Sequence, residues 1–287
     1  MDPEKDKLAE VLPNAEDKPN LKDFGRNGSY LVLRQLSQDV PGFWKFVDKA
    51  AGSIPEKREQ VAAAMVGRSR DGTPLVTHIA EAIPGIPAED HLNHFNYDQD
   101  AGGNQCPIGA HVRRTNPRKG DMPPGDNNLI SWFKRVLGFG LTRPDQDLVA
   151  SSRFHRLLRR GRTYGAKLTP EDAIKADAPD AERGLQFICL VANIMRQFEF
   201  VQNAWIVSSK FSGVQQETDP LLGHRKPLMG GEPTDQFHRP DPAGPVLKTC
   251  PLPQFITVVG GGYFFMPGLR AVQYIAALPD KGSDKAS

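Results

Sequence analysis

Residues 67–148 are dominated by Gly, Pro, Asn and Asp and show little periodicity. A stretch of that length cannot be a packed layer, so the layers of the fold must come from the segments that flank it. Inside a domain, such a stretch is a functional wrap more often than an idle linker. Ahead of it, "SYLVLRQL" from Ser29 reads as a strand. "VPGFWKFVDKAA" follows with Phe43, Phe46 and Val47 at helical spacing, and "EKREQVAAAMVG" is a second helix stopped by Gly67. Beyond it, "GLQFICLVANI" reads as a buried strand that runs into an amphipathic helix, "MRQFEFVQNAWIV". "FITVVGGGYFFMPG" reads as a strand broken by its three glycines, and "LRAVQYIAAL" as a closing helix. The order predicts an α+β fold, a mostly antiparallel sheet with helices on one face and long irregular lobes. Residues 1–28, without a regular apolar period, are expected to form an extended, mobile or partner-wrapping arm. Residues 29–278 are expected to form the domain and 279–287 a polar tail.

Several function classes are disfavoured by composition. The apolar run "LQFICLVANI" is far too short to cross a bilayer, and the acidic N-terminus lacks the order of a signal peptide. Three widely spaced cysteines, Cys106, Cys189 and Cys250, suit a reducing cytoplasm. A net charge of +2 points to no polyanion as a global partner. The basic residues are nevertheless concentrated in "RRTNPRK" and "RFHRLLRRGR".

Between a small-residue turn and these arginines stands His111, in "CPIGAHVRRTNPR". Four readings are open. His111 is a satisfied turn residue, or it joins His91, His94 and Cys106 in a zinc site. Alternatively, Arg113, Arg114, Arg118, Lys119 and the Arg153–Arg162 cluster contact nucleic-acid phosphates, although no nucleic-acid motif accompanies them. The fourth reading makes His111 an axial ligand to heme iron, with arginines pairing the porphyrin carboxylates. With no CxxCH in the chain, such a heme is non-covalent and b-type.

"FGRNGSYLVLRQLSQDVPGFWKFV", "CPIGAHVRRTNPR", "RRGRTYG" and "GLQFICLVANIMRQFEFVQNAW" together resemble the dye-decolorizing peroxidase family, most strongly its larger bacterial and fungal members. The segments occur in the family's order and cover roughly residues 24–275. The resemblance implies a ferredoxin-like α+β fold of the dimeric α+β barrel type, with heme b as cofactor. It also implies oxidation of dyes, phenols and other aromatic reductants by hydrogen peroxide, with neither nucleic acid nor membrane as partner. It makes His111 the proximal ligand and Arg159 the distal arginine, whose guanidinium stabilises charge developing as the O–O bond breaks. Arg113, Arg114 and Arg118 become candidate propionate partners, and Phe187, Ile188 and Leu190 candidate linings of the porphyrin face. Glu199, between Phe198 and Phe200, is the candidate carboxylate behind the ligand histidine. Trp132, Trp205 and Tyr263 are candidates to pass electrons to bulky substrates.

One motif of the family does not match. Its GxxDG motif, whose aspartate helps move the peroxide proton, has no counterpart. The nearest string, "GRSRDG" at 67–72, carries one residue too many, which makes Asp71 a turn residue. By this resemblance the chain is expected to match the family's second, heme-bearing half. The expectation is therefore a heme-bearing subunit completed by a separate chain that carries the missing half and the distal acid, or a homo-oligomer. The alternative is a catalytically degenerate protein that binds heme for storage, sensing or transfer.

Overall fold

Alternation of side chains across a pleated strand dictates the architecture. The computed structural model describes residues 9–76, 92–93, 95–118, 151–226, 231–241 and 244–278. Its central element is the strand β1 (Ser29–Gln38), which pairs antiparallel on both sides. With β2 (Leu158–Tyr164), β3 (Gly184–Val191) and β6 (Ile256–Met266) it forms a four-stranded sheet in the order β2–β3–β1–β6. β4 (Phe237–Arg239) and β5 (Leu247–Thr249) make a separate two-stranded pair. The fold is a ferredoxin-like α+β arrangement.

β1 gives way at Asp39 to α1 (Val40–Ala50) because the Asp39 carboxylate caps the helix, accepting from the Gly42 N–H at 2.8 Å. Pro55 starts α2 (Pro55–Val66), and Gly67, at φ +93°, ends it in the left-handed conformation that glycine adopts without steric cost. Val47 and Met65, both fully buried, lock these two helices against Phe237, Leu252 and Phe255. Each such side chain contributes about 1.5–3 kcal/mol by leaving water. The described chain continues through α3 (His111–Thr115), α4 (Ser151–Phe154) and α5 (Pro170–Ala173), and α6 (Leu269–Ala276) follows β6.

Two elements differ from their sequence expectation. The glycine run does not break β6. Gly261 is required where the strands close on each other, since a Cβ there would lie 2.2 Å from the Leu33 carbonyl oxygen. The irregularity is instead a register shift opposite Gln35 and Leu36. The segment expected as an ordinary amphipathic helix is wound as two successive π-helical segments, Met195–Glu199 and Val201–Ile206. The Glu199 N–H reaches the Ile194 carbonyl at 3.0 Å, and the Val207 N–H reaches that of Gln202 at 3.2 Å.

Residues opposite each other in the ladder share a face. Val32, Cys189 and Phe187 therefore point the same way, and they pack under Phe198 of the first π segment. The helices and lobes cover this face. Residues 9–28 turn back on themselves through an Asn14–Lys22 bridge, and Phe24 packs against Phe265 and Tyr274. Asp71 lies in an exposed turn, accepting from Ser69 and from the Thr73 N–H.

Candidate functional site

Between the covered face of the sheet and the lobes lies a cavity of about 1030 Å³. Strand alternation supplies one wall: Arg34 and Leu36 from β1, Arg159 from β2, Leu185 and Phe187 from β3, and Tyr263 from β6. The π segments supply another, because the wide winding turns Phe198, Glu199, Val201, Trp205 and Ile206 to the same space. His111, Arg118, Leu221 and Leu222 complete the lining from the loops.

His111 is the first residue of α3, and its Nδ1 lies 2.8 Å from Oδ2 of Asp219. Asp219 is completely buried, and its other oxygen, Oδ1, accepts the Leu221 and Leu222 N–H groups, each at 2.9 Å. Burial opposes ionisation of Asp219, but the His111 contact and the two backbone donors outweigh it, so its pKa lies below the ordinary carboxylate value. An ionised carboxylate only accepts. The proton of a neutral His111 therefore sits on Nδ1, which leaves the Nε2 lone pair free.

α3 is held by two buried arginines. Arg114 donates to the carbonyls of Gly109, Trp205, Ser208 and Glu217 at 2.8–3.2 Å. Arg113 donates to the Asp100 carboxylate at 3.0 Å and to the carbonyls of Cys106 and Asp100, and its guanidinium lies 4.4 Å from the Tyr97 ring centre. Neither lines the cavity, which corrects their expected role: internal acceptors already occupy their donors, so they anchor the histidine segment. Arg118 does line it. Its guanidinium stacks 3.8 Å from the Phe95 ring centre and donates to the Asn93 carbonyl. Burial, with the like charges of Arg68 and Arg156 behind it, lowers its pKa, so an anion beside it relieves an unfavourable cation.

The remaining expected residues divide by geometry. Arg159 reaches the cavity because, on a strand, it alternates with Leu158 and Arg160. Phe187 lines it, whereas Leu190 and Ile188 fall on the opposite face of the sheet by the same alternation, which corrects that part of the expectation. Glu199 lines the cavity but accepts from the Tyr263 hydroxyl at 3.2 Å, so the carboxylate behind His111 is Asp219 instead. Asp219 is 108 residues from His111 in sequence, and its only local signal is an acidic "ETDP" turn in an irregular lobe. Trp205 is buried against the cavity, and Tyr263 lines it at a partly exposed position. Trp132, His91, His94 and Lys119 lie outside the described residues, and no group of three or more metal-ligating side chains occurs among the described ones. No helix among the described residues is long and apolar enough to cross a membrane.

Among the described residues the lining thus combines apolar walls with four arginines, Arg34, Arg118, Arg156 and Arg159, against the single carboxylate of Glu199. A large, apolar, anionic ligand with a centre able to accept an imidazole nitrogen fits that combination.

No family model matches the chain. It is 34% identical to a multifunctional dye peroxidase of Amycolatopsis sp. over 84% of this chain and 47% of that protein. It is 30% identical to a dye-decolorizing peroxidase of Mycena epipterygia over 92% of this chain and 50% of that protein. The solved structure of the Amycolatopsis enzyme superposes with a TM-score of 0.60 at 32% identity, over 86% of this chain and 48% of that one. The chain spans about half the length of the curated relatives it matches.

Proposed function

This chain is a relative of the dye-decolorizing peroxidases, matching about half of their length, and on that premise we propose that it holds heme b through His111 and serves peroxide-driven oxidation of aromatic compounds. The observation that carries this reading is the His111–Asp219 contact of 2.8 Å beside an arginine-rich cavity. Bound there, the iron porphyrin supplies the redox chemistry by which hydrogen peroxide is reduced and dyes or phenols are oxidised. Asp219 fixes the imidazole tautomer and orientation and increases the basicity of Nε2. Arg118, Arg34 and Arg156 offset the two porphyrin carboxylates. Arg159 presents a fixed cation to the negative charge that develops on a peroxide oxygen.

Among the described lining residues the only carboxylate is Glu199, which is engaged by Tyr263. The distal acid is therefore proposed to come from a separate polypeptide that completes the site. Three free cysteines, two of them buried, are consistent with a reducing, cytoplasmic setting. The test is a heme titration followed by the Soret band, then a dye-bleaching assay with peroxide at acidic pH. Stoichiometric heme uptake that His111→Ala abolishes supports the reading, and no uptake by the folded chain overturns it. Uptake without bleaching, alone and with the completing polypeptide, favours storage, sensing or transfer of heme.

A further inference from the structure

Two short segments face each other with the same spacing: Gly109 stands two residues before His111, and Glu217 two residues before Asp219. Asp219 meets His111, and Glu217 meets Gly109. A Cβ at Gly109 would lie 1.5 Å from Oε1 of Glu217, so the carboxylate fills the space that the missing side chain leaves. Glu217 is fully buried. Its Oε2 accepts the backbone N–H of His238, in β4, and faces the His238 Nδ1, each at 2.8 Å. Its Oε1 has no hydrogen-bond partner among the described residues and lies 3.7 Å from the Arg114 guanidinium. Burial works against the anion, whereas Arg114 and His238 work for it. An N–H on one oxygen and a cation beside the other suit an ionised carboxylate.

We propose that Glu217 is a positioning residue for the His111–Asp219 pair: by engaging Arg114 it leaves the Asp219 charge to His111, and so tunes the reduction potential of the bound heme. This role rests on the heme reading and extends it to a residue that touches neither the histidine nor the cavity. Charge balance decides which carboxylate each arginine takes. Arg225 donates to the Asp219 and Pro220 carbonyls at 3.0 and 2.7 Å, and its cation is favoured by Asp219 and Asp235. The cation of Arg114 is favoured by Glu217 first and by Asp219 second. Were Glu217 neutral, Asp219 would be the anion left to Arg114, in a buried setting where charges act strongly on each other. An Asp219 drawn towards Arg114 pulls less on the Nδ1 proton of His111. The imidazole is then less basic and stabilises the oxidised iron less. Loss of a nearby anion acts in the same direction.

The test compares Glu217→Gln, which keeps the shape and removes the charge, with Glu217→Asp, which keeps the charge and alters the shape. In the heme-free chain the His111 Nδ1 proton, read by NMR, is expected to move upfield in the Gln variant as its bond to Asp219 weakens, and to move less in the Asp variant. In the heme-loaded chain, spectroelectrochemistry should give a higher reduction potential for Gln at unchanged heme stoichiometry, and a smaller rise for Asp. If Glu217→Gln does not fold, His238→Ala takes its place: it removes Nδ1 from Oε2, leaves the backbone donor, and should give both shifts to a lesser extent. Wild-type values in a folded Gln variant, or in the His238 variant that replaces it, overturn the inference. So does an Asp variant that shifts as far as Gln, which is the mark of packing alone. Heme titration separates this role from the functional reading. A chain that takes up no heme yet shows the NMR shift removes the heme reading and leaves the hold of Glu217 on the pair. A chain that takes up heme while neither quantity moves removes the Glu217 role alone.

Discussion

Asp219 Oδ2 stands 2.8 Å from His111 Nδ1, and the same carboxylate is held by two backbone N–H groups on its other oxygen. The pair is rigid on the acid side, so the imidazole orientation is decided by a residue that itself has no freedom to turn.

Replacing Asp219 with Asn keeps the shape and removes the anion. Heme affinity is expected to fall by about 10–100-fold. The reduction potential of the bound heme is expected to rise, because a less basic imidazole stabilises the oxidised iron less. Soret titration and spectroelectrochemistry read the two effects separately.

Arg159→Ala and Arg118→Ala should part company. The first removes a cation from the sheet wall and is expected to leave heme binding intact while slowing reaction with peroxide by about 10²–10³-fold. The second removes a partner for a porphyrin carboxylate and should weaken heme binding first. Stopped-flow kinetics and heme titration on both variants make the comparison.

Arg114 and Glu217 are both fully buried, 3.7 Å apart, and Arg114 also binds four carbonyls. Arg114→Met leaves those carbonyls without their donor and takes the cation away from Glu217, whose Oε2 keeps only the His238 N–H and Nδ1 at 2.8 Å, at an expected cost of about 3–5 kcal/mol. Thermal unfolding of the heme-free chain should show it as a clear drop in Tm.

The thiols give a pH signature. Burial pushes the Cys106 thiol up to about 12 and the Cys189 thiol up to about 11, whereas Cys250 is exposed. In the folded protein a chromogenic disulfide at pH 8 should therefore titrate one fast thiol. The sign for stability follows from the raised values. Below the unfolded value of about 8.5 both states keep the protons and the contribution is complete; as pH rises towards 11–12 the unfolded chain releases protons that the fold retains, so stability falls. Equilibrium unfolding between pH 8 and 11 measures that loss, and Cys106→Ala should reduce its slope.

The sequence by itself determined the local elements. β1, α1, α2 and β3 follow from apolar spacing within a few residues, and Gly67 ends α2 because only its own backbone conformation is at issue. The histidine segment and its arginines were legible for the same reason. Tertiary structure alone decided which way those arginines face: Arg113 and Arg114 differ from Arg118 through distant acceptors, the carbonyls of Trp205, Ser208 and Glu217 and the carboxylate of Asp100. It alone exchanged Glu199 for Asp219, since a hydrogen bond across 108 residues leaves no trace in local periodicity. It also wound the expected helix into π segments, whose Phe198 and Trp205 stand in the cavity wall. Period and capping are near-neighbour properties, whereas the direction of a charged side chain is set by whatever acceptors the folded chain brings within 3 Å of it.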